Sequence, residues 1–189
     1  MQSVLTLLLL LVWLTDAAYQ VKRCGAADMR TVSSFLCKSF MDEGVIDNLP
    51  DNLARHIFET EQQLLKYQAF NGEDGFKTCL FKAVRDKSDL VGAVEIFTDG
   101  SSPRRAMLQN LVVALKYRRL GIGALLVGEC CSVVASEWGM KSLWLNVEDD
   151  NEAALKFYKK LGFVLEDDSD SSDSDDSIGF GSKMMRKTL

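Results

Sequence analysis

Hydrophobic and polar residues alternate along this chain with two periodicities, one typical of strands and one typical of helices. Alternation with a period of two predicts strands, because successive side chains of a strand point to opposite faces. Such strands are predicted at residues 18–24, 79–84, 91–97, 107–113, 143–147, 163–165 and 178–185. Apolar residues at helical spacing predict helices at residues 27–40, 51–67, 125–138 and 151–161.

The order of these elements narrows the fold class. A strand is followed by two helices, three strands, a helix, a strand, a helix and two strands. Strands joined by a short turn, such as the one at residues 85–89, pair antiparallel, whereas strands separated by a helix can pair in parallel. This mixture predicts an α+β or mixed α/β fold. The 189 residues suffice for one domain with a hydrophobic core, but two domains of this total length would each have a small core.

The first residues form a segment of their own. Residues 5–14 are apolar except for Thr6, a run too short for a bilayer span of about 20 residues but typical of a secretory signal peptide. Small residues near Ala17 favour cleavage after it, with residues 18–189 as the mature domain. Because no Lys or Arg precedes Leu5, an N-terminal strand or a misassigned start stays open.

The apolar segment at residues 5–14 predicts the route of the protein but not its final compartment. We expect entry into the secretory route, with secretion or the ER lumen as the end point, or alternatively a plastid reached through that route. No membrane span is expected to remain after cleavage. The five cysteines are odd in number and lack Cys-x-x-Cys spacing, which predicts buried reduced thiols rather than a disulfide framework or a metal site. Reduced thiols conflict with secretion, because an oxidising compartment favours disulfide formation.

A second unusual segment lies near the end of the chain. Residues 166–176 contain seven acidic residues and four serines, and no basic residue. Such a composition cannot bury enough apolar surface to order itself, so we predict a disordered acidic insertion at residues 166–177. Without these seven acids and the leader, 19 acidic and 22 basic residues remain, so the net charge of −5 changes to about +3.

Residues 117–124, Tyr-Arg-Arg-Leu-Gly-Ile-Gly-Ala, stand between a predicted strand and a predicted helix. A turn of this kind leaves backbone N–H groups unpaired at the positive end of the helix dipole, which favours anions. Gly121 and Gly123 are expected to leave room for a phosphate, and Arg118 and Arg119 add positive charge. Neither the Walker loop nor the dinucleotide fingerprint fits this order of residues. The predicted ligand therefore carries phosphate.

Another motif follows one strand later, on a predicted helix. Asn151, Ala154 and Tyr158 fall on one face of that helix, and Gly162 ends it. An Arg-x-x-Gly-x-Gly loop followed by an Asn…Tyr…Leu-Gly-Phe helix resembles the GNAT superfamily of acetyl-coenzyme A dependent N-acetyltransferases. The phrases YRRLGIG and VEDDNEAALKFYKKLGF resemble in particular the plastid-type members of plants and algae, and the resemblance covers roughly residues 18–187.

The resemblance implies a fold and a cosubstrate. The fold would be a mixed, mostly antiparallel sheet of about six or seven strands flanked by about four helices. Acetyl-coenzyme A would rest its pyrophosphate on the glycine loop and its pantetheine arm along the preceding strand. The cofactor-binding residues so implied are Leu111, Val112, Val113, Arg118, Arg119, Leu120, Gly121, Ile122, Gly123, Ala124, Asn151, Glu152, Ala153 and Tyr158. For Leu111 and Val113 only the backbone is expected to contact the cofactor, while Asn151 could either bind it or cap its helix.

Acetyl transfer from a thioester to an amine needs a proton donor for the leaving thiolate and a way to remove a proton from the amine. By resemblance Tyr158 is the candidate general acid, with an ordinary place in the core as the alternative. Glu95 is the first candidate base and Glu148 the second, although a glutamate on a strand could equally be a solvated side chain. His56, the single histidine, is expected to be a partly exposed helix residue far from both motifs.

The predicted function is therefore acetyl-coenzyme A dependent N-acetylation of a primary amine, with a protein N-terminus or a lysine side chain as the first expectation. A small-molecule or polyamine N-acetyltransferase and a non-catalytic acyl-coenzyme A sensor are the alternatives. No metal is expected to take part. Nucleic acid is not expected as a partner, because no basic stripe is interleaved with aromatic residues.

Overall fold

Seven strands form a single sheet in the part of the chain that the structure describes. The structure is a computed structural model, and it describes residues 19–42, 53–69, 71–72, 75–86, 88–166 and 181–189. The strands are β1 (Tyr19–Arg23), β2 (Thr78–Arg85), β3 (Asp89–Thr98), β4 (Ala106–Val113), β5 (Ser142–Glu148), β6 (Val164–Leu165) and β7 (Ser182–Thr188). The predicted leader, the predicted helix start at residues 51–52 and residues 167–180 lie outside the described residues.

Four α-helices accompany the sheet within the same residues. They are α1 (Met29–Asp42), α2 (Leu53–Ala69), α3 (Ile122–Ser136) and α4 (Glu152–Lys160). Short 3-10 turns precede α1 and α3, at Ala26–Asp28 and Leu115–Tyr117. Among the described helices, none is long and apolar enough to cross a membrane. The order of strands and helices that the sequence predicts is confirmed.

The sheet combines two kinds of connection. Its strand order is β1-β2-β3-β4-β5-β7-β6. Neighbouring strands run antiparallel except β4 and β5, which are parallel and are connected through α3. A parallel pair needs such a crossover because the chain must return to the same end of the sheet. The predicted mixed α/β fold is thus confirmed.

Helices cover both faces of the sheet. On the face covered by α3 and α4, here called the α3/α4 face, the buried residues include Val94, Leu108, Leu126, Leu145 and Phe163. On the opposite face, the α1/α2 face, they include Met29, Leu36, Leu64, Leu80 and Val112. Burial on both sides explains why β2 and β3 are apolar along most of their length. Two separate apolar layers therefore hold the sheet between the helices.

Several boundaries differ from the prediction. Helix α3 begins at Ile122 rather than at residue 125, because Gly121 caps it with a φ of 82°, so the second half of the predicted loop is already helical. Strand β7 continues to Thr188, beyond the predicted end at residue 185. Glu166 was predicted to begin the acidic insertion, but its N–H donates to the carbonyl of Met184 at 3.0 Å and its carboxylate pairs with Arg186.

Candidate active site

Strands β4 and β5 separate after a short parallel contact. Their register contains two pairs, Ala106 with Leu143 and Met107 with Trp144, both near the start of the strands. Beyond these pairs β5 continues beside β7, and no described strand pairs with β4 on that side. The two strands thus form a fork that opens toward their carboxyl ends, where α3 and α4 begin. Ligands of α/β sheets characteristically bind at such a place.

Backbone groups of β4 point into the fork. The N–H of Ala114 donates to the carbonyl of Val91 on β3 at 2.9 Å, so the N–H of Val113, one residue earlier, points to the opposite side. The carbonyl of Val113 has the same direction, because the N–H and C=O of one residue in an antiparallel strand point to the same side, and it accepts a hydrogen bond from Nε of Arg118 at 2.9 Å. Val113 therefore presents a backbone donor to a ligand in the fork.

A bulge sets the direction of the neighbouring residues. Asn110 has a φ of 54°, and the register between β3 and β4 shifts at this point. Val112 pairs with Ala93 of β3, so its backbone groups are directed to β3 and not into the fork, while its side chain packs on the α1/α2 face; its predicted cofactor contact stays a prediction. Leu111 directs its N–H toward the fork, while the side chains of Leu111 and Val113 pack against the α3/α4 cluster as expected.

The start of α3 provides further donors at the mouth of the fork. Gly121 caps the helix without a side-chain hydrogen bond. The amide of Leu125 donates to the carbonyl of Gly121 at 3.1 Å, so the N–H groups of Ile122, Gly123 and Ala124 have no partner within the helix. These amides and the helix dipole favour an anion at this position.

Gly121 and Gly123 are glycines for different reasons. A Cβ on Gly121 would meet no atom within 4 Å, but its φ of 82° requires glycine. A Cβ on Gly123 would lie 3.1 Å from Cζ of Phe157 on α4. The prediction that both glycines leave room for a phosphate is therefore wrong for Gly123. The space left by its missing side chain holds the Phe157 ring and lets α4 approach α3.

The residues before Gly121 fix the loop. The hydroxyl of the buried Tyr117 donates to Oδ2 of Asp89 on β3 at 2.8 Å, and the bond from Arg118 to Val113 ties the loop to β4. Arg119 is exposed with a φ of 66°, a conformation that is uncommon for residues other than glycine. Strained backbone of this kind clusters at functional sites.

Asn151 caps α4. Its Oδ1 accepts a hydrogen bond from the N–H of Ala154 at 3.0 Å, so the capping alternative is confirmed, and a cofactor contact of the same residue stays a prediction. Glu152 and Ala153 are exposed in the first turn of the helix, and Leu120 is 54% exposed in the loop before α3. These three side chains are therefore accessible to a ligand at the mouth of the fork.

Tyr158 is buried in the α3/α4 layer, with 8% of its surface exposed. Its ring packs edge-on against Phe157 and Phe163, with centroid distances of 5.2 and 5.5 Å. Burial, together with the nearby Cys130 thiol, raises the pKa of the Tyr158 phenol above its usual value. The phenol therefore stays protonated at neutral pH and can donate to a thiolate.

Glu95 is buried on β3, with 1% of its surface exposed, so the alternative of a solvated side chain is wrong. Nε2 of Gln109 and Nδ2 of Asn110 both donate to its Oε2, at 2.7 and 3.1 Å. Burial is the largest influence and raises the pKa of Glu95, whereas the hydrogen bonds from Gln109, Asn110 and Thr78 act in the opposite direction. A raised pKa suits a carboxylate that must accept a proton near neutral pH.

A cavity of about 250 Å³ lies between α1, α2 and the sheet, and we call it the front cavity. Its lining includes Cys37, His56, Thr60, Gln63, Glu95 and Asn110. The prediction that His56 is a partly exposed helix residue is confirmed, but its side chain also lines the front cavity together with Glu95. Its Nδ1 also lies 3.7 Å from Oε2 of Glu59. Because His56 and Glu95 are far apart in the sequence, sequence patterns alone could not show that they line the same cavity.

The two candidate catalytic residues occupy opposite faces of the sheet. Tyr158 belongs to the α3/α4 cluster, whereas Glu95 lines the front cavity under α1 and α2. Groups on both faces can approach the same point at the fork, where β4 and β5 have separated. Gln109 and Asn110, which donate hydrogen bonds to Glu95, were not predicted as site residues. The signal that could have found them is that these two polar residues interrupt the otherwise apolar strand β4.

The remaining candidates lie elsewhere. Glu148, the second candidate base, is exposed at the end of β5 and does not belong to the described lining of the front cavity. Four of the five cysteines are buried, as predicted, and Cys131 is partly buried. Among the residues that the structure describes, no group of three His, Cys, Asp or Glu side chains could hold a metal ion.

The fork has backbone donors along β4 and unpaired amides at the start of α3, which we call the anion cradle, and this arrangement suits an extended, phosphate-bearing ligand. A family model described as "Acetyltransferase (GNAT) family" matches residues 45–163. Because this match spans more than half of the 189 residues, the chain belongs to the acetyltransferase (GNAT) family. The family predicted from the two motifs is thus confirmed.

Curated relatives are similar over part of the chain. The chain is 34% identical over 79 residues to "Probable N-acetyltransferase san" of Drosophila melanogaster, covering 41% of this chain and 43% of that protein. It is 34% identical over 76 residues to "N-alpha-acetyltransferase 50" of Danio rerio, covering 40% and 45%. It is 42% identical over 62 residues to "GCN5-related N-acetyltransferase 7, chloroplastic" of Arabidopsis thaliana, covering 33% and 22%. The chain thus spans less than half of the length of these three relatives.

Solved structures show the same fold over most of the chain. The PaiA N-acetyltransferase from Thermoplasma acidophilum in complex with coenzyme A has a TM-score of 0.67 at 20% identity, covering 91% of this chain and 99% of that chain. A GNAT-family acetyltransferase from Staphylococcus aureus Mu50 has a TM-score of 0.65 at 17% identity, covering 91% and 99%. A chimera of the Vibrio cholerae spermidine N-acetyltransferase SpeG with hSSAT has a TM-score of 0.64 at 17% identity, covering 90% and 95%. The predicted GNAT-like fold is confirmed.

Proposed function

We propose that this protein is an acetyl-coenzyme A dependent N-acetyltransferase that transfers the acetyl group to a primary amine. The observation that carries the proposal is the fork between β4 and β5, into which Val113 directs its N–H. The unpaired amides at the start of α3 suit the pyrophosphate, and the fork suits the extended arm that joins it to the thioester. Membership of the acetyltransferase (GNAT) family supports the same cosubstrate.

In this proposal, residues of this chain polarise the thioester carbonyl, protonate the leaving thiolate and remove a proton from the amine. The N–H groups of Leu111 and Val113 polarise the thioester carbonyl and stabilise the negative charge that develops on its oxygen. Tyr158, kept neutral by burial, donates its proton to the departing thiolate. Glu95 removes the proton from the attacking amine.

Glu95 acts through water rather than by direct contact. Its partner across the sheet is Gln109, and Leu111 follows two residues later on β4. Two residues of a strand span about 7 Å, which is too far for a direct hydrogen bond between the carboxylate and an amine at the thioester but fits a bridging water. The amine therefore approaches from the α1/α2 face through the front cavity, while the thiolate is protonated from the α3/α4 face.

Protein amines, either N-termini or lysine side chains, are the acceptors we propose. The partial likeness to "N-alpha-acetyltransferase 50" supports this class. A polyamine or another small amine is the second candidate, favoured by the polar side chains of His56, Thr60 and Gln63 around a front cavity of about 250 Å³. Comparing short peptides, free lysine and spermidine as acceptors separates the two classes.

Release of free thiol from acetyl-coenzyme A in the presence of amines tests the proposed activity. Tyr158→Phe keeps the ring and deletes the hydroxyl, so the rate of thiol release should fall by about 10²-fold, the low end of general-acid effects. Coenzyme A affinity should change little. Wild-type protein that binds acetyl-coenzyme A but releases no thiol with any amine would instead be an acyl-coenzyme A sensor. Unchanged turnover in Tyr158→Phe would leave the tyrosine as a core residue.

We further propose that the protein enters the secretory route and loses its first 17 residues. The apolar run at residues 5–14 and the small residues after it support this proposal. The partial likeness to a chloroplastic relative from Arabidopsis thaliana keeps the plastid as the alternative destination. The mass of the protein isolated from its own cells decides, since an intact Met1 on the soluble protein would contradict cleavage.

A further inference from the structure

Glu95 separates two cavities. Besides the front cavity, it lines a second cavity of about 270 Å³, which we call the rear cavity. Residues that line the rear cavity include Arg23, Gln68, Asn71, Thr78 and Glu137. Its described lining contains no residue of β4, the strand that carries the backbone donors of the fork. The rear cavity therefore leads away from the thioester, and an amine in it could not reach the acetyl group.

The hydrogen bonds of Glu95 leave one oxygen available. Gln109 and Asn110 both donate to Oε2, so Oε1 is the oxygen on which a proton can be carried without displacing either amide. In the register of β2 and β3, Leu80 lies opposite Glu95, and Thr78 precedes Leu80 by two residues, so the Thr78 side chain lies on the same face of the sheet as the carboxyl group and lines the same cavity. Thr78 is 8% exposed and lines the rear cavity. A hydroxyl both donates and accepts, so it can pass a proton from one side to the other.

The rear cavity has the properties of a space for water. A water molecule occupies about 30 Å³ in the liquid, so a volume of about 270 Å³ holds several. The side chains of Gln68 and Asn71 and the hydroxyl of Thr78 supply polar partners. Near its outer side Arg23 and Glu137 form an ion pair at 2.6 Å whose side chains are each 50% exposed. The cavity thus connects a buried carboxyl group with a solvated, charged rim.

We propose that the rear cavity is the proton exit of the enzyme and that Thr78 relays the proton from Glu95 to water in it. This inference rests on the proposed acetyl transfer. The acceptor arrives as an ammonium ion, and one of its N–H bonds breaks as that proton passes, through the bridging water, to the carboxylate of Glu95. Thr78 then accepts this proton while giving its own to water in the rear cavity, which returns Glu95 to the carboxylate and releases one proton per acetyl group transferred. The second proton that the nitrogen loses on forming the amide replaces the one that Tyr158 gives to the thiolate, so free thiol, amide and one released proton account for all protons.

A separate exit has a physical reason. While the acceptor fills the front cavity, a proton on the buried Glu95 has no solvated path on that side, and a protonated carboxyl cannot act as the base for the next amine. The rear cavity stays open to water during the whole cycle. Regeneration of the base is thereby independent of the rate at which the product leaves the front cavity.

Thr78→Val tests the relay, because valine keeps the branched shape and removes the hydroxyl. We expect kcat to fall about 10-fold, less than the loss of a whole general base, with KM and coenzyme A affinity unchanged. Proton release then limits turnover, so the solvent deuterium isotope effect on kcat should rise, and small buffers such as imidazole should restore part of the rate. Thr78→Ser retains the hydroxyl and should keep wild-type behaviour.

A matched control is Thr98→Val, which removes another buried threonine hydroxyl, on β3, that is not part of the described lining of either cavity. It should leave the isotope effect unchanged. An unaltered kcat and isotope effect in Thr78→Val would overturn the proposal, as would equal losses in Thr78→Val and Thr78→Ser. If Thr78→Val does not fold, Gln68→Leu, which makes the rear cavity less polar, must show the same raised isotope effect. Absence of thiol release from the wild type would instead refute the acetyl transfer itself.

Discussion

Glu95 is the residue whose environment departs most from what its sequence position suggests. It stands in β3 between Val94 and Ile96, both fully buried, and its own side chain is turned to the other face, where an alternating strand would ordinarily meet water. Helices α1 and α2 cover that face. Burying a carboxyl group costs stability unless it is neutral or well hydrogen-bonded, so its position here indicates a functional need.

Glu95→Gln should therefore raise stability and lower activity at the same time. The pKa of Glu95 is raised in the folded protein, whereas an unfolded glutamate titrates near pH 4.3. As the pH rises above that value, the folded protein retains the proton that the unfolded chain loses, so stability falls until the folded carboxyl has also ionised. Glutamine removes this loss, while the rate should drop by about 10²-fold.

Chemical unfolding of both forms between pH 4 and pH 8 measures this effect. The stability difference should be small near pH 4 and should increase in favour of Glu95→Gln as the pH rises. The ascending limb of kcat/KM against pH should lie above the usual range of a glutamate in the wild type and should vanish in the variant. A stability difference that does not change with pH would contradict the raised pKa.

At the scale of elements, α3 and α4 depend on each other through one close contact. Gly123 lies in the first turn of α3, and the position of its missing Cβ is 3.1 Å from Cζ of Phe157 on α4. The same two helices begin at the fork, α3 with the anion cradle and α4 with the cap of Asn151. The contact therefore couples the placement of the cradle to that of the helix that carries Tyr158.

Gly123→Ala should destabilise the protein by about 1–3 kcal/mol, the usual cost of overpacking, and should weaken coenzyme A binding because α4 must move. Gly128→Ala is the matched control in the same helix. A Cβ there meets no atom within 4 Å, so alanine should stabilise the helix by up to about 1 kcal/mol. Thermal unfolding and coenzyme A titration measure both. A stabilised Gly123→Ala with normal affinity would show that Phe157 does not restrict this position.

At the scale of the whole molecule, the fork divides the sheet into two parts. Strands β1 to β4 form one part and β5 to β7 the other, joined by two residue pairs and by the crossover through α3. A ligand in the fork would contact both parts. Its binding should stabilise the whole protein, by about 2.7 kcal/mol at a concentration of 100 Kd.

Hydrogen exchange of single amides can detect this bridging. In the free protein the N–H groups of Val112 and Ala114 are bonded to β3 and should exchange slowly, whereas those of Leu111 and Val113 face the open fork and should exchange fast. Adding coenzyme A should slow Leu111 and Val113 far more than Val112 and Ala114, which serve as the internal control. Equal protection of all four amides in the free protein would contradict the orientation of β4.

The sequence by itself determined the elements, their order, the fold class and the position of the glycine-rich turn before α3. Those features depend on short-range patterns: periodicity of two or 3.6 residues, glycines at a helix start, and an asparagine three residues before the N–H that it caps. The loop and the helix of Tyr158 are each continuous in sequence. Their local structure was therefore predictable from neighbouring residues alone.

The tertiary structure decided which of these elements face each other. The separation of β4 and β5, the burial of Glu95, the entry of His56 into its cavity and the contact of Gly123 with Phe157 all join residues from different elements. Such contacts follow from strand register and from the angles at which helices cross the sheet, and local periodicity encodes neither. A polar residue on a strand looks the same in sequence whether water or two helices cover it, because burial is a property of the assembled layers.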